Sequence, residues 1–139
     1  MNHVAQLALR QPLMTTPLGF RDRTMLEVLY STGLRGGELC RLSLYDVDLP
    51  ARTLRVLQGK GRKDRVVPIG KVAAGYLGEY IKTVRPILLG ETASPVPVCA
   101  RLHADRRGAQ PGSPLVFLSA RGLKLWTADL GRIVKLYRD

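Results

Sequence analysis

The sequence predicts an α+β fold, mostly helical with a small three-stranded antiparallel sheet. Three observations carry that prediction. Apolar residues recur at helical spacing in three separate stretches. Between the first two stretches lie two runs of alternating side chains joined by a glycine-rich reversal. A third extended run precedes them, set off by the turn Asp48-Leu49-Pro50-Ala51.

Taken in order, residues 1–13 and the stretch up to Gly19 read as irregular, because "RQPLMTTPLG" carries two prolines and a glycine. From Phe20 the pattern changes. Met25, Val28, Leu29 and Thr32 fall at i, i+3, i+4 and i+7, one face of a helix that Gly33 stops. A second short helix is expected over 36–43, with Leu39 and Leu42 inward. Gly36 and Gly37 weaken it, each by up to ~1 kcal/mol relative to alanine.

"LSLYDVDLPARTLRVLQGKGRKDRVVPIG" then reads as strands. In "TLRVLQ", Leu54 and Val56 alternate with Arg55. "GKGRK" reverses the chain and "DRVVPI" returns it. Pro68, with no N–H to donate, belongs at an edge or a strand end. Residues 71–85 are helical, with Ala73, Leu77, Tyr80, Ile81 and Val84 in one stripe and Pro86 as the boundary. Residues 86–114 hold five of the nine prolines and read as a proline-rich loop, long for a compact domain. "LVFLS" looks like a strand. A last helix, capped by Thr127, presents Leu130, Ile133, Val134 and Tyr137.

Composition limits the function classes. At 139 residues the chain is one domain or part of one. It is 45% hydrophobic and 6% aromatic, which predicts a modest, aliphatic core. No apolar run reaches the roughly 18 residues of a membrane span, and the N-terminus has no clear cleavage site, so the expected location is the cytoplasm. Cys40 and Cys99 match no metal spacing and read as reduced thiols, and His3 and His103 suggest no role. Lysine plus arginine total 22 against 11 acids, a net charge of +11. That surplus favours an anionic partner, most commonly nucleic acid.

The positive charge gathers in the predicted hairpin. Arg52, Arg55, Lys60, Arg62, Lys63 and Arg65 face a single acid, Asp64. A two-stranded ribbon can enter a DNA groove, and its tip can reach phosphates. Gly59 and Gly61 let the backbone around Lys60 turn sharply, and a lysine of lowered pKa can donate a proton. A solvated charged turn that discourages edge-to-edge pairing explains the same residues. On this stretch alone the two readings stand level.

"TPLGFRDRTMLEVLYSTGLRGGELCRLSLYDVDL" followed by "GKGRKDRVVPIG" resembles the catalytic domain of tyrosine recombinases, the phage integrase and Xer-type family. The resemblance is strong over residues 14–85 and weaker from "PLVFLSARGLKLWTADLGRIVKLYRD" to the C-terminus. It implies the N-terminal part of the DNA breaking-rejoining fold, with residues 1–139 forming a partial catalytic domain. It implies double-stranded DNA as partner, a full-length enzyme acting as a tetramer on two DNA sites, and no metal or nucleotide cofactor. In this family a tyrosine attacks a phosphodiester, forms a 3′-phosphotyrosyl link and releases a 5′-hydroxyl.

Carried over residue by residue, Arg35 matches the first arginine that grips the non-bridging phosphate oxygens. A planar guanidinium suits that task because it can meet two oxygens at once. Glu38, one helical turn on, would orient Arg35 rather than exchange protons. Lys60 matches the lysine that protonates the leaving oxygen, with Lys63 as its rival. Arg55, Arg62, Lys63 and Arg65 would touch DNA. The sequence departs from the family after this point. The one His-x-x-Arg spacing, His103–Arg106, falls inside the proline-rich loop, the wrong place for the family's second arginine, and Tyr30, Tyr45, Tyr76, Tyr80 and Tyr137 are all misplaced for the nucleophile. The family's N-terminal clamp domain is missing as well. The expectation is a truncated fragment, inactive alone, whose uncovered apolar surface favours self-association. The alternative is a non-catalytic DNA-binding module or remnant acting through the basic hairpin.

Overall fold

The structure, a computed structural model, describes residues 16–57, 64–90 and 114–138. Its first helix, α1 (Pro17–Thr32), starts three residues before the helical stripe predicts. Thr16, extended at φ −108°, accepts the Gly19 N–H on its hydroxyl, and Pro17 occupies the first turn, where its missing N–H costs nothing. The prolyl residue read as a breaker is therefore a helix start. Gly33, at φ 70°, ends α1 in the left-handed conformation and returns its N–H to the Leu29 carbonyl.

The second helix, α2 (Gly36–Arg41), buries Leu39, and Leu42 just beyond it is buried too. A single 3-10 turn, Leu44–Asp46, leads into the sheet. Strands β1 (Val47–Asp48), β2 (Thr53–Val56) and β3 (Arg65–Pro68) pair antiparallel in the order β1-β2-β3. Leu54 faces Val67 across β2 and β3, and Arg55 faces Val66. The predicted alternation holds, with Leu54 and Val56 buried and Arg55 outward. Pro68 closes the edge strand β3, where the ladder does not need its N–H.

Helix α3 (Lys71–Glu79) continues through a π turn at Tyr80–Val84 into α4 (Arg85–Leu88). The helical path thus passes Pro86 instead of stopping there. Pro86 sits in the first turn of α4, and the wider π turn before it relieves the i−4 clash that a proline makes in a regular helix. Of the expected loop, 86–90 is therefore helix and turn, and 91–113 lies outside the described residues.

"LVFLS" is not a strand of the sheet. It makes two isolated bridges, Ser43 to Leu115 and Leu118 to Lys124. Val116, Phe117 and Leu118 are all fully buried, so the segment threads the core instead of lying on one face of a sheet. Phe117 stacks on Tyr80 with centroids 5.1 Å apart, and the Tyr80 hydroxyl donates to the Val116 carbonyl. Around this pair, Met25 and Val28 of α1 and Ala73 and Leu77 of α3 complete an aliphatic core.

The last helix, α5 (Thr127–Arg138), contains Thr127 instead of being capped by it. Trp126, just ahead, donates its N–H to Asp129 Oδ2 at 3.1 Å. Leu130 is buried and Ile133, Val134 and Tyr137 are half-buried, as their spacing predicts. Tyr137 ties α5 to α1 by donating its hydroxyl to Asp22 Oδ2 at 2.7 Å. Burial first, then this bond, pushes the phenol up to about 12 from an ordinary 10.0. A raised pKa stabilises the fold below the unfolded value, and that contribution is lost as pH climbs through 10 toward 12. Tyr137→Phe is expected to cost about 1–2 kcal/mol and to flatten the alkaline limb of a stability-versus-pH curve measured by urea unfolding. An unchanged alkaline limb would contradict the bond.

Candidate active site

The string Thr32-Gly33-Leu34-Arg35 is a built corner. The Thr32 hydroxyl donates back to the Val28 carbonyl at 2.7 Å and lies 3.3 Å from the Leu34 N–H it accepts. Gly33 supplies the left-handed residue at which α1 stops. Leu34, 6% exposed, plugs the chain into the core. Arg35 follows in extended conformation at φ −74°, ψ 152°, as the residue that opens α2, with its side chain in solvent. Two alternations of direction, one left-handed and one extended, thus bury a leucine and expose the arginine beside it.

Glu38, at the third position of α2, reaches back to accept the Arg35 N–H on Oε1 at 2.9 Å. This is half of a capping box, satisfying one of the donors that a helix start leaves open. The same carboxylate takes both Nη atoms of Arg65, from β3, at 2.8 and 3.2 Å. The Arg65 guanidinium, more than any other group, holds the Glu38 carboxyl down at about 2, well below the usual carboxylate range. Glu38 side-chain exposure is only 8% although it sits at the surface, because its cover is Arg65 and not core.

Arg55 is likewise engaged. Its Nε and Nη2 donate to Asp46 Oδ1 at 3.1 and 3.0 Å. Asp46 is buried and also accepts from the Ser43 N–H and hydroxyl, so it pins the turn before β1. Ser43-x-x-Asp46 is a capping-box spacing, and that signal in the sequence was open to reading. Of the three described arginines singled out from sequence, only Arg35 has a guanidinium without a hydrogen bond or ion pair to any described residue.

Arg35, Glu38 and Arg65 therefore converge, although 27 positions separate Glu38 from Arg65. The base of the basic hairpin lies against the α1–α2 corner. Lys60, Arg62 and Lys63 lie outside the described residues. Two of the tyrosines have engaged hydroxyls, Tyr80 to the Val116 carbonyl and Tyr137 to Asp22. Tyr30 and Tyr45 are exposed.

The sequence signature of the phage integrase family matches residues 3–138. The chain belongs to the phage integrase family. It is 38% identical over 129 residues to the tyrosine recombinase XerD of Staphylococcus epidermidis, covering 93% of this chain and 37% of the relative. It is 46% identical over 99 residues to tyrosine recombinase XerC 2 of Ralstonia nicotianae, covering 63% of this chain and 28% of the relative. The fold is similar to the crystal structure of XerA recombinase, with a TM-score of 0.59 and 26% identity over 83% of this chain and 34% of that one. The fold is thus the DNA breaking-rejoining fold, and the chain is Xer-like tyrosine recombinase catalytic domain in kind. It spans about a third of the length of the relatives it matches. No helix among the described residues is long and apolar enough to cross a membrane.

Proposed function

We propose that this phage integrase family chain binds double-stranded DNA and contributes Arg35, Glu38 and Lys60 to the breaking and rejoining of a phosphodiester. The observation that supports this best is the contrast at the corner. Among the described residues, Arg35 projects into solvent a guanidinium with no hydrogen bond or ion pair, while Arg55 and Arg65 beside the sheet are neutralised by acids.

In this reading a tyrosine, its phenolic proton released to solvent, attacks phosphorus through its oxygen and the bond from phosphorus to the 5′-oxygen breaks. A 3′-phosphotyrosyl link forms. Lys60 gives its proton to the departing 5′-oxygen, and Arg35 meets two non-bridging oxygens as charge builds on them. Glu38 stays ionised and acts by holding the corner. Arg62 and Lys63 meet phosphates along the duplex. Tyr80 and Tyr137 are not the attacking tyrosine, since each hydroxyl is already committed inside the fold. The sequence's one His-x-x-Arg spacing, His103–Arg106, lies ahead of the last helix and not after it, where the family's second phosphate-gripping arginine belongs, so the chain alone does not cut. The whole recombinase acts as a tetramer on two sites. The apolar groove that Leu29, Leu34, Leu130 and Val134 line between the corner and α5 supports self-association of this chain.

Binding of a mixed-sequence duplex is expected to weaken steeply with salt, since each phosphate neutralised contributes about −0.9 to the slope of log K against log salt. Arg35→Gln should reduce affinity and lower that slope by about one phosphate contact. An affinity indifferent to salt, or a slope indifferent to Arg35, would sink the DNA reading. A nicked suicide substrate should give no covalent adduct with the chain by itself, and an adduct would refute the inactivity.

A further inference from the structure

Arg65 has another task than the phosphate contact its sequence position suggests. We infer that Arg65 is a positioning residue: acting through Glu38, it fixes the backbone of the Arg35 corner against β3. The inference rests on the function proposed above for Arg35.

The need for such a hold follows from α2 itself. That helix has six residues, and the first two are Gly36 and Gly37. So short a helix is not stable on its own, and each glycine adds backbone freedom immediately after Arg35. Glu38 counters this by accepting the Arg35 N–H at 2.9 Å, but a lone glutamate in a first turn is free to swing away. Arg65 removes that freedom. Its two Nη atoms take the two carboxylate oxygens at 2.8 and 3.2 Å, the parallel fork that a guanidinium and a carboxylate form. Oε1 is shared between Arg65 Nη2 and the Arg35 N–H. A chain of three groups thus runs from strand to carboxylate to corner backbone. Lysine at 65 could supply the charge but not the planar pair of donors.

The charge count agrees. Arg65 spends its cation on Glu38, and the pair presents no net charge to DNA. A phosphate contact by Arg65 would compete with the bond that orders the corner.

The test has two arms. In the protein without DNA, NMR should find the Glu38 carboxyl ionised at pH 4.5, its ordinary midpoint. Arg65→Gln should bring it to partial protonation there and make the Arg35 amide shift follow that titration. In the DNA arm, Arg65→Gln should weaken duplex binding about fivefold, within the range of coupling seen between residues in contact. Arg65→Lys should recover part of the loss. In a Glu38→Gln background, Arg65→Gln should cost nothing further. A further loss in that background would mean that Arg65 touches DNA directly, and an Arg35 amide indifferent to Arg65 would mean that no positioning occurs. Either result overturns the inference. If the unaltered chain binds no duplex at all, the proposed function falls, and the NMR arm decides separately whether Arg65 holds the corner.

Discussion

Asp22→Ala is expected to remove about 3–5 kcal/mol of stability, the cost of leaving a buried charge without its partner. Arg21 and Asp22 are adjacent in α1 and both buried, at 6% and 5% exposure. Asp22 Oδ1 accepts from Arg21 Nε and Nη2 at 3.0 and 2.8 Å, and Oδ2 accepts the Tyr137 hydroxyl. Arg21 Nη1 donates onward to the Leu118 carbonyl at 3.0 Å. One carboxylate therefore joins α1, the buried 116–118 segment and α5. Its removal strands the Arg21 guanidinium in the interior and leaves the Tyr137 hydroxyl without an acceptor. A domain of ordinary stability has about 5–15 kcal/mol in total, so the variant should sit near the edge of folding. Asp22→Asn keeps the shape and an acceptor oxygen and should cost less. Urea unfolding of both variants checks this. A loss below about 1 kcal/mol for the alanine variant would show that the network does not carry the load described.

That network shows where the sequence stopped being legible. Helix faces and strand alternation are local patterns, and they located α1, α2, the three strands, α3 and α5. Met25, Val28, Leu39, Leu54, Leu77 and Leu130 are buried as their spacing predicts. Arg21–Asp22–Tyr137 depends on residues 115 positions apart, and no periodicity reports such a pairing. Arg65 is the same case at the site: the acid that pairs with it lies 27 positions earlier, so its place in a basic run did not announce the pairing. Arg55 pairs with Asp46, nine positions earlier, through a half-exposed side chain. The prolines misled for a different reason. Pro17 sits in a true first helical turn, where a missing N–H is harmless, and Pro86 follows a π turn that makes room for it within a continuous helical path, so the residue type alone did not settle whether a helix began, stopped or ran on. The Thr-Gly-Leu-Arg corner was legible because each of its four residues has a separate local task.

Gly122→Ala should be the second severe change, costing about 2–5 kcal/mol: 1–2 for a left-handed side chain and 1–3 for overpacking. Gly122 has φ 73° in the turn that joins Leu118 to Lys124, where its N–H bonds the Ser119 carbonyl at 2.9 Å. The turn packs on the C-terminal end of α4. A Cβ at 122 would press into the Leu88 carbonyl oxygen, with the Leu88 carbonyl carbon at 3.2 Å and Leu89 Cα at 3.3 Å. These are backbone atoms and cannot rotate away, so either the turn or the helix end must move. Gly33→Ala gives the control. Gly33 has nearly the same φ, 70°, but nothing lies within 4 Å of where its Cβ would be. That variant should lose only the conformational part, about 1–2 kcal/mol. The difference between the two unfolding free energies measures the clash alone, and equal losses would refute the close packing of the 119–122 turn on α4. Because Gly33 ends α1 two residues before Arg35, its substitution should also loosen the corner. Duplex binding should then fall more for Gly33→Ala than for Gly122→Ala, the reverse of their order in stability.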